Sequence, residues 1–185
     1  MGSIRYYSDQ RTEDLHCAVI LDLVGHDVPV SGLEDLLFVM GMESDEALEA
    51  VIQTVKLDSE IRKLPTLNRY VGDLSDHHVF RANQVPYLFL SCGRWEHYHE
   101  PTDTPEKLNY VKIDAVARLV TELTYEISMA KMRGVFEGYD SSSTEIKFIE
   151  ENLMVVLSAM GLARKLETRE DVDRIASLMV NYLSI

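Results

Sequence analysis

Residues 75–108 read SDHHVFRANQVPYLFLSCGRWEHYHEPTDTPEKL and place one apolar run between two polar clusters. The run VPYLFLS, at 85–91, has the length and the aromatic content of a buried strand. The cluster SDHHVF precedes the run, and YHEPTDTPEKL follows it. Polar side chains at both ends of a buried strand favour a loop system that holds a metal ion.

Three earlier segments also predict strands. Residues 16–24, HCAVILDLV, form a continuous apolar run that is typical of a strand buried on both faces. Residues 35–41, DLLFVMG, repeat this pattern, and a weaker strand is predicted within 66–72. Asp22 is the single charged residue inside the first run.

Helical patterns alternate with these strands. Ser44 precedes DEALEAVIQTV, an amphipathic segment with acidic residues in its first turn. Ser75 or Asp76 is expected to cap a short helix that ends near residue 83. A long helix is predicted from Thr104 and Pro105 onward, with its apolar face formed by Ile113, Val116, Val120, Leu123 and Ile127.

The last fifty residues predict two more helices. Ser142 and Glu145 have the spacing of a capping box, which would begin a helix over 143–160. Another helix follows Thr168, with an apolar face formed by Val172, Ile175, Met179 and Tyr182. The predicted fold class is α/β, with three αβα layers around a mixed, mostly parallel sheet. Residues 1–134 would form this body, and 135–185 a helical hairpin packed on it.

Composition narrows the class of protein. The chain has 185 residues, of which 46% are hydrophobic, and a net charge of −13. This charge argues against a nucleic-acid partner, which requires clustered Lys and Arg. Neither a membrane span nor a signal peptide is predicted, so a cytoplasmic location is expected. Cys17 and Cys92 lie in apolar runs without CxxC spacing and are expected to pack as small hydrophobes.

Asp22 and His99 are two polar residues that the sequence places near one edge of the predicted sheet. A carboxylate in the middle of AVILDLVG needs compensation, and a metal ion at the carboxyl end of the strand would provide it. The alternative is that Asp22 is a hydrogen-bonded residue in the core, or that it lies at a strand end and faces solvent. His99 lies in a loop after VPYLFLS, where it would be held at the same sheet edge or would simply be solvated.

Three motifs in the same order resemble the C-terminal half of the catalytic domain of M28 zinc aminopeptidases. They are LDLVG, SDHHVF and YHEPTDTPEKLNY, within residues 16–131. The resemblance implies a partial zinc-exopeptidase fold, two zinc ions, and a peptide or amino-acid amide substrate. It also implies that Asp22 binds one zinc and His99 the other.

The resemblance implies supporting roles for other residues. Ser75, Asp76 and His77 would lie near the site, with Asp76 and His77 supporting the ligands. Tyr98, beside His99, is a further candidate for this supporting or substrate-contacting role. His26, in GHDVP directly after the first strand, would either join the site or serve the loop. Asp103 and Thr104 would shape the loop that presents His99.

The chain departs from the family pattern upstream of Asp22. The family's other ligands and its general base, in a His-x-Asp pair, a bridging Asp and a Glu-Glu pair, precede the LD strand, where this sequence has 21 residues without these motifs. A catalytic zinc needs about three protein ligands and a base that activates water. The chain is therefore expected to be inactive by itself, as part of a zinc-dependent aminopeptidase-like hydrolase.

Two alternatives remain open at this point. The chain could be a non-catalytic α/β module that binds proteins and has lost its metal site. The missing half could also come from a separate chain. Half of a sheet would leave an unpaired edge strand, so the sequence predicts self-association through that edge. A second metal arrangement that uses His77, His97 or His99 lacks the i, i+4 spacing of helical zinc sites.

Overall fold

A computed structural model describes residues 2–10, 14–56, 60–134 and 136–183. The four strands in this part of the chain are β1 (Ala18–Leu21), β2 (Leu36–Met40), β3 (Arg62–Thr66) and β4 (Tyr87–Ser91). The helices are α1 (Gly2–Gln10), α2 (Glu46–Thr54), α3 (Asn68–Val71), α4 (His77–Ala82), α5 (Tyr110–Met129), α6 (Ser142–Asn152), α7 (Met154–Ala159) and α8 (Arg169–Leu183). The predicted α/β class and the three-layer arrangement are confirmed. Over the described residues, the helices are all too short or too polar to cross a bilayer.

The four strands form one sheet in the order β1-β4-β2-β3. β1 pairs with β4 and β2 with β3 in parallel, whereas β2 and β4 are antiparallel. The predicted mixed, mostly parallel sheet is therefore confirmed. One consequence is that the carboxyl ends of β1 and β4 lie at one end of the sheet, here called the Asp22 end. Those of β2 and β3 lie at the opposite end, here called the Glu43 end.

β1 is an edge strand in the described part of the chain. Its only partner there is β4. Val19 and Ile20 are half-buried and Leu21 is 44% exposed. The prediction that this strand is buried on both faces is wrong, because none of its four residues is fully buried. A strand at the edge of a sheet is covered by fewer neighbours than a central strand, and an apolar run does not reveal that position.

β3 lies earlier in the chain than predicted. The weak strand expected within 66–72 is instead Arg62–Thr66, followed by the single helical turn α3. Lys63 and Pro65 hide the strand pattern in the sequence. Lys63 is buried because its ammonium donates to the carbonyl oxygens of Ile52 and Val55, at the carboxyl end of α2.

The long helix begins later than Thr104 and Pro105, so that start was wrong. Pro105–Lys107 form a 3-10 turn, and α5 follows Asn109, whose side chain accepts the backbone N–H of Lys112 at 3.0 Å. The predicted apolar face is largely confirmed, since Val116, Leu123 and Ile127 are buried, and Ile113 and Val120 are half-buried.

The C-terminal helices were predicted in outline. The capping box of Ser142 and Glu145 is not formed, because the Ser142 hydroxyl and N–H both bond to Asp140. The helix expected over 143–160 is divided at Leu153 into α6 and α7. The predicted face of α8 is buried at Val172, Ile175 and Met179, whereas the Tyr182 side chain lies outside the described residues. The boundary at 134 stays a prediction.

Candidate functional site

Asp22 lies directly after β1, at the Asp22 end of the sheet. Its backbone N–H donates to the carbonyl of Leu90 at 3.1 Å, which extends the pairing with β4 by one bond. The side chain is half-buried, and its Oδ2 accepts the hydroxyl of Ser75 at 2.8 Å. The carboxylate is therefore compensated by a hydrogen bond and by partial solvation. This corresponds to the alternative of a hydrogen-bonded Asp at a strand end.

A narrow cavity of about 40 Å³ opens beside Asp22. Its polar lining includes Ser75, Ser91, Arg94 and Tyr98. The rest of the wall is mostly apolar and is formed by Leu23, Phe38, Met40, Val71, Leu74 and Phe89. A carboxylate, a guanidinium and a phenol around an apolar floor can orient a small polar group and exclude water behind it.

His99 lies next to this cavity without lining it. Its side chain is exposed, and its backbone has the left-handed φ of +60°. The imidazole stacks on the Tyr98 ring with centroids 3.9 Å apart. The Arg94 guanidinium lies 5.4 Å from the centroid of the same phenol ring. The loop therefore brings Tyr98 to Asp22 and leaves His99 on the solvent side of Tyr98.

His77 and Asp76 have different surroundings although they are adjacent. His77 is fully buried and stacks on Phe89 at 4.3 Å between centroids. Its Nε2 lies 3.2 Å from the carbonyl oxygen of Gly72, and burial lowers its pKa. Asp76 is exposed, makes no helix cap, and accepts the hydroxyl of Ser3 from α1 at 2.7 Å. The stacking of His77 anchors α4 to the sheet, and the bond between Ser3 and Asp76 joins α1 to the start of α4.

His26 holds two loops together at the Asp22 end. It is buried, with Nδ1 2.8 Å from the carbonyl oxygen of Asp27 and Nε2 2.9 Å from that of Gly93. Its ring stacks on Trp95 at 4.6 Å between centroids. Both ring nitrogens of His26 thus face backbone carbonyl oxygens of loops. Of the two roles predicted for His26, these contacts correspond to the one in loop structure.

The positions of these side chains determine whether they can hold a zinc ion. Across residues 2–10, 14–56, 60–134 and 136–183, no group of three or more His, Cys, Asp or Glu is placed to hold a metal ion. A zinc site needs three protein ligands at catalytic positions and four at structural ones. The described residues alone do not form a complete zinc site.

A second, more polar cavity at the Glu43 end was not predicted. It has a volume of about 650 Å³ and includes Glu43, Asn68 and Arg169 in its wall. The sequence contains one weak signal for it, since Glu43 follows a buried strand within three residues. A Glu in such a turn is normally exposed to solvent, so the sequence provided no reason to predict that Glu43 is buried.

Comparison with known proteins gives one match. A family model described as Peptidase family M28 matches residues 1–124, which is more than half of the chain. No curated protein and no solved structure matches the chain. The match covers all four strands, Asp22, the SDHH segment and the His99 loop, and ends within α5.

Proposed function

This chain belongs to peptidase family M28, a family of generally zinc-dependent hydrolases, and we propose that it carries one side of such a hydrolytic site. The substrate would be a peptide or a small amide, as for an aminopeptidase. Family membership is supported at the site by a carboxylate at the carboxyl end of a strand, beside a pocket with a polar rim and an apolar floor.

The roles of this chain's residues follow from their positions. Asp22 and His99 would serve as metal ligands, with Ser75 orienting the Asp22 carboxylate through its hydroxyl. Tyr98 would face the substrate, because it lines the cavity with Asp22. The remaining ligands and the general base would come from polypeptide outside this sequence, since two ligands do not complete a zinc site.

A non-catalytic α/β module is the second candidate, and one observation favours it. A carboxylate within an apolar run is costly unless a metal ion or a hydrogen bond compensates it. In the structure, the carboxylate is half-buried and accepts the Ser75 hydroxyl, so its retention does not require a metal. The hydrolytic site and the non-catalytic module are therefore distinguished by measuring whether Asp22 and His99 bind a metal ion.

We expect the isolated chain to bind zinc weakly, below one ion per chain after dialysis, and to hydrolyse no aminoacyl amide. Plasma mass spectrometry and a zinc titration check this. Asp22→Asn and His99→Gln should each weaken the residual zinc binding at least about tenfold, because each removes a ligand. His97→Gln is a matched control in the same loop, where His97 bonds to Thr102.

Two outcomes would count against this proposal. Stoichiometric zinc together with hydrolysis would show that the chain holds a complete site. Equal zinc affinity in the wild type, Asp22→Asn and His99→Gln would favour the non-catalytic module instead.

We also propose that the free edge of β1 pairs with another strand, from a second copy of the chain or from a different polypeptide segment. The N–H groups of Ala18 and Asp22 point toward β4, so those of Val19 and Leu21 point away from it. In the described part of the chain, β4 is the only partner of β1. The partly exposed Leu21 adds apolar surface to this edge.

Light scattering after size-exclusion chromatography is expected to show a concentration-dependent dimer. Leu21→Pro should weaken dimerisation at least about tenfold, because it removes an outward N–H without touching the bonds to β4. Leu21→Thr keeps this N–H and should still dimerise. A monomer at all concentrations would exclude a second copy as the partner of this edge. Equal dimerisation of both variants would show that dimers form elsewhere.

A further inference from the structure

Arg94 differs from the arginines that line the cavity at the Glu43 end. It lines the cavity beside Asp22 and is exposed. In the part of the chain that the structure describes, no Asp or Glu forms an ion pair with Arg94, whereas Arg69, Arg81 and Arg169 are each paired with a carboxylate. The guanidinium of Arg94 is therefore available to a group that enters the cavity.

The backbone on both sides of Arg94 is held in place. Gly93 donates its N–H to the Ser91 hydroxyl at 3.0 Å, and its carbonyl oxygen lies 2.9 Å from His26 Nε2. On the other side, the Trp95 ring stacks on the His26 ring. Because these contacts order the loop before a ligand arrives, little conformational entropy is lost there on binding.

The guanidinium of Arg94 is held over an aromatic ring. It lies 5.4 Å from the centroid of the Tyr98 ring, which is within the range of a cation–π contact. Tyr98 lines the same cavity and also stacks on His99, one of the two proposed metal ligands. A group bound by Arg94 therefore lies next to the residues of the proposed hydrolytic site.

Two parts of the cavity determine the chemistry of a matching ligand. The planar guanidinium presents N–H donors in a fork that matches the two oxygens of a carboxylate. The apolar floor includes Phe38, Met40 and Phe89, and the volume of about 40 Å³ admits a group of only a few heavy atoms. A ligand that uses both parts carries a carboxylate close to a small apolar group.

We propose that Arg94 selects the substrate of this site by binding a free carboxylate that lies beside a small apolar side chain. The substrate class is then short peptides or N-acyl amino acids that end in such a residue. This inference rests on the proposed hydrolytic function, because it names the substrate of that site. Recognition of the carboxylate uses residues of this chain alone, so it is testable without a metal ion and without hydrolysis.

Asp22 acts against an anion in the metal-free chain. Its carboxylate lines the same cavity and repels a bound carboxylate until a metal ion neutralises it. Binding to the metal-free chain is therefore expected in the millimolar range. Asp22→Asn removes the repelling charge and should strengthen carboxylate binding about threefold. The same variant is expected to weaken zinc binding, so the two proposals predict opposite effects of one substitution.

Nuclear magnetic resonance titration of the whole chain with a chelator present tests the proposal. The ligands are N-acetyl-alanine and its amide, which differ only in that a carboxylate replaces a neutral amide. We expect the backbone amide signals of Arg94 and Tyr98 to shift, and the carboxylate to bind at least about fivefold more tightly than the amide. Arg94→Gln should abolish this preference, whereas Arg94→Lys keeps the charge without the fork and should retain part of it.

Arg164→Gln is the matched control, since Arg164 is exposed and lies outside the cavity. The dispersion of the amide signals shows that each variant is folded. Equal affinity for the two compounds would overturn the proposal, as would failure of both to bind or a full preference for the carboxylate in Arg94→Gln. Zinc binding through Asp22 and His99 without a carboxylate preference would reject only the role of Arg94. A carboxylate preference without zinc binding would count against the hydrolytic site instead.

Discussion

Replacement of Asp45 by alanine is expected to lower the free energy of unfolding by about 3–5 kcal/mol. Asp45 is fully buried, and its Oδ1 accepts the N–H of Ala47 at 2.9 Å as the N-cap of α2. Its Oδ2 accepts the N–H groups of Arg133 and Gly134, at 2.9 and 2.8 Å. The variant would leave three backbone donors without their acceptor, at the point where the C-terminal region begins.

Urea denaturation measures this loss. Asp45→Asn keeps one acceptor oxygen and should cost less than Asp45→Ala. Asp114→Ala removes a 68% exposed carboxylate from α5 and should change stability by no more than about 0.5 kcal/mol. A cost below about 1 kcal/mol for Asp45→Ala would show that water replaces the lost acceptor.

Gly41→Ala is expected to be similarly severe, with a loss of about 3–5 kcal/mol. Gly41 has a φ of +94°, which disfavours a side chain. An added Cβ would lie 2.7 Å from a ring carbon of Tyr87 and closer still to its carbonyl oxygen. The turn cannot easily move away, since Ser44 Oγ lies 2.6 Å from the Gly41 carbonyl oxygen and accepts the Tyr87 N–H at 2.9 Å.

Thermal unfolding of Gly41→Ala should be compared with that of Gly161→Ala. Gly161 has a φ of +70° but no atom within 4 Å of an added Cβ, so it tests the backbone strain alone. The expected cost at Gly161 is about 1–2 kcal/mol. Equal losses in the two variants would mean that the Tyr87 backbone and ring adjust without cost.

The sequence predicted elements best where hydrophobicity alone decides them. VPYLFLS contains β4, which is buried along its whole length, and DLLFVMG contains the equally buried β2. β3 was misplaced because Lys63 and Pro65 interrupt its apolar pattern. Lys63 is buried through its bonds to the carbonyl oxygens of Ile52 and Val55, which the residue types do not reveal. β1 was found, but its place at the sheet edge depends on pairing, which a single run of residues does not record.

The candidate site was predictable to a similar extent. The motifs around Asp22 and His99 pointed to the family that the match over residues 1–124 shows. The contact of Ser75 with Asp22 agrees with the expectation that the SDH cluster lies nearby. The position of His99 outside the cavity depends on the left-handed turn at that residue. The Glu43 cavity was missed because Glu43 lies in a short 3-10 turn, where acidic residues are usually solvated.

If the free edge of β1 pairs as proposed, assembly and metal binding would be coupled. A strand added to this edge would lie about 4.8 Å from β1, with its side chains flanking Asp22. A metal ion held jointly by Asp22 and that strand would bind only the paired state. Metal would then tighten pairing by the same factor by which pairing tightens metal binding. Zinc occupancy would therefore rise with protein concentration at a fixed concentration of free zinc.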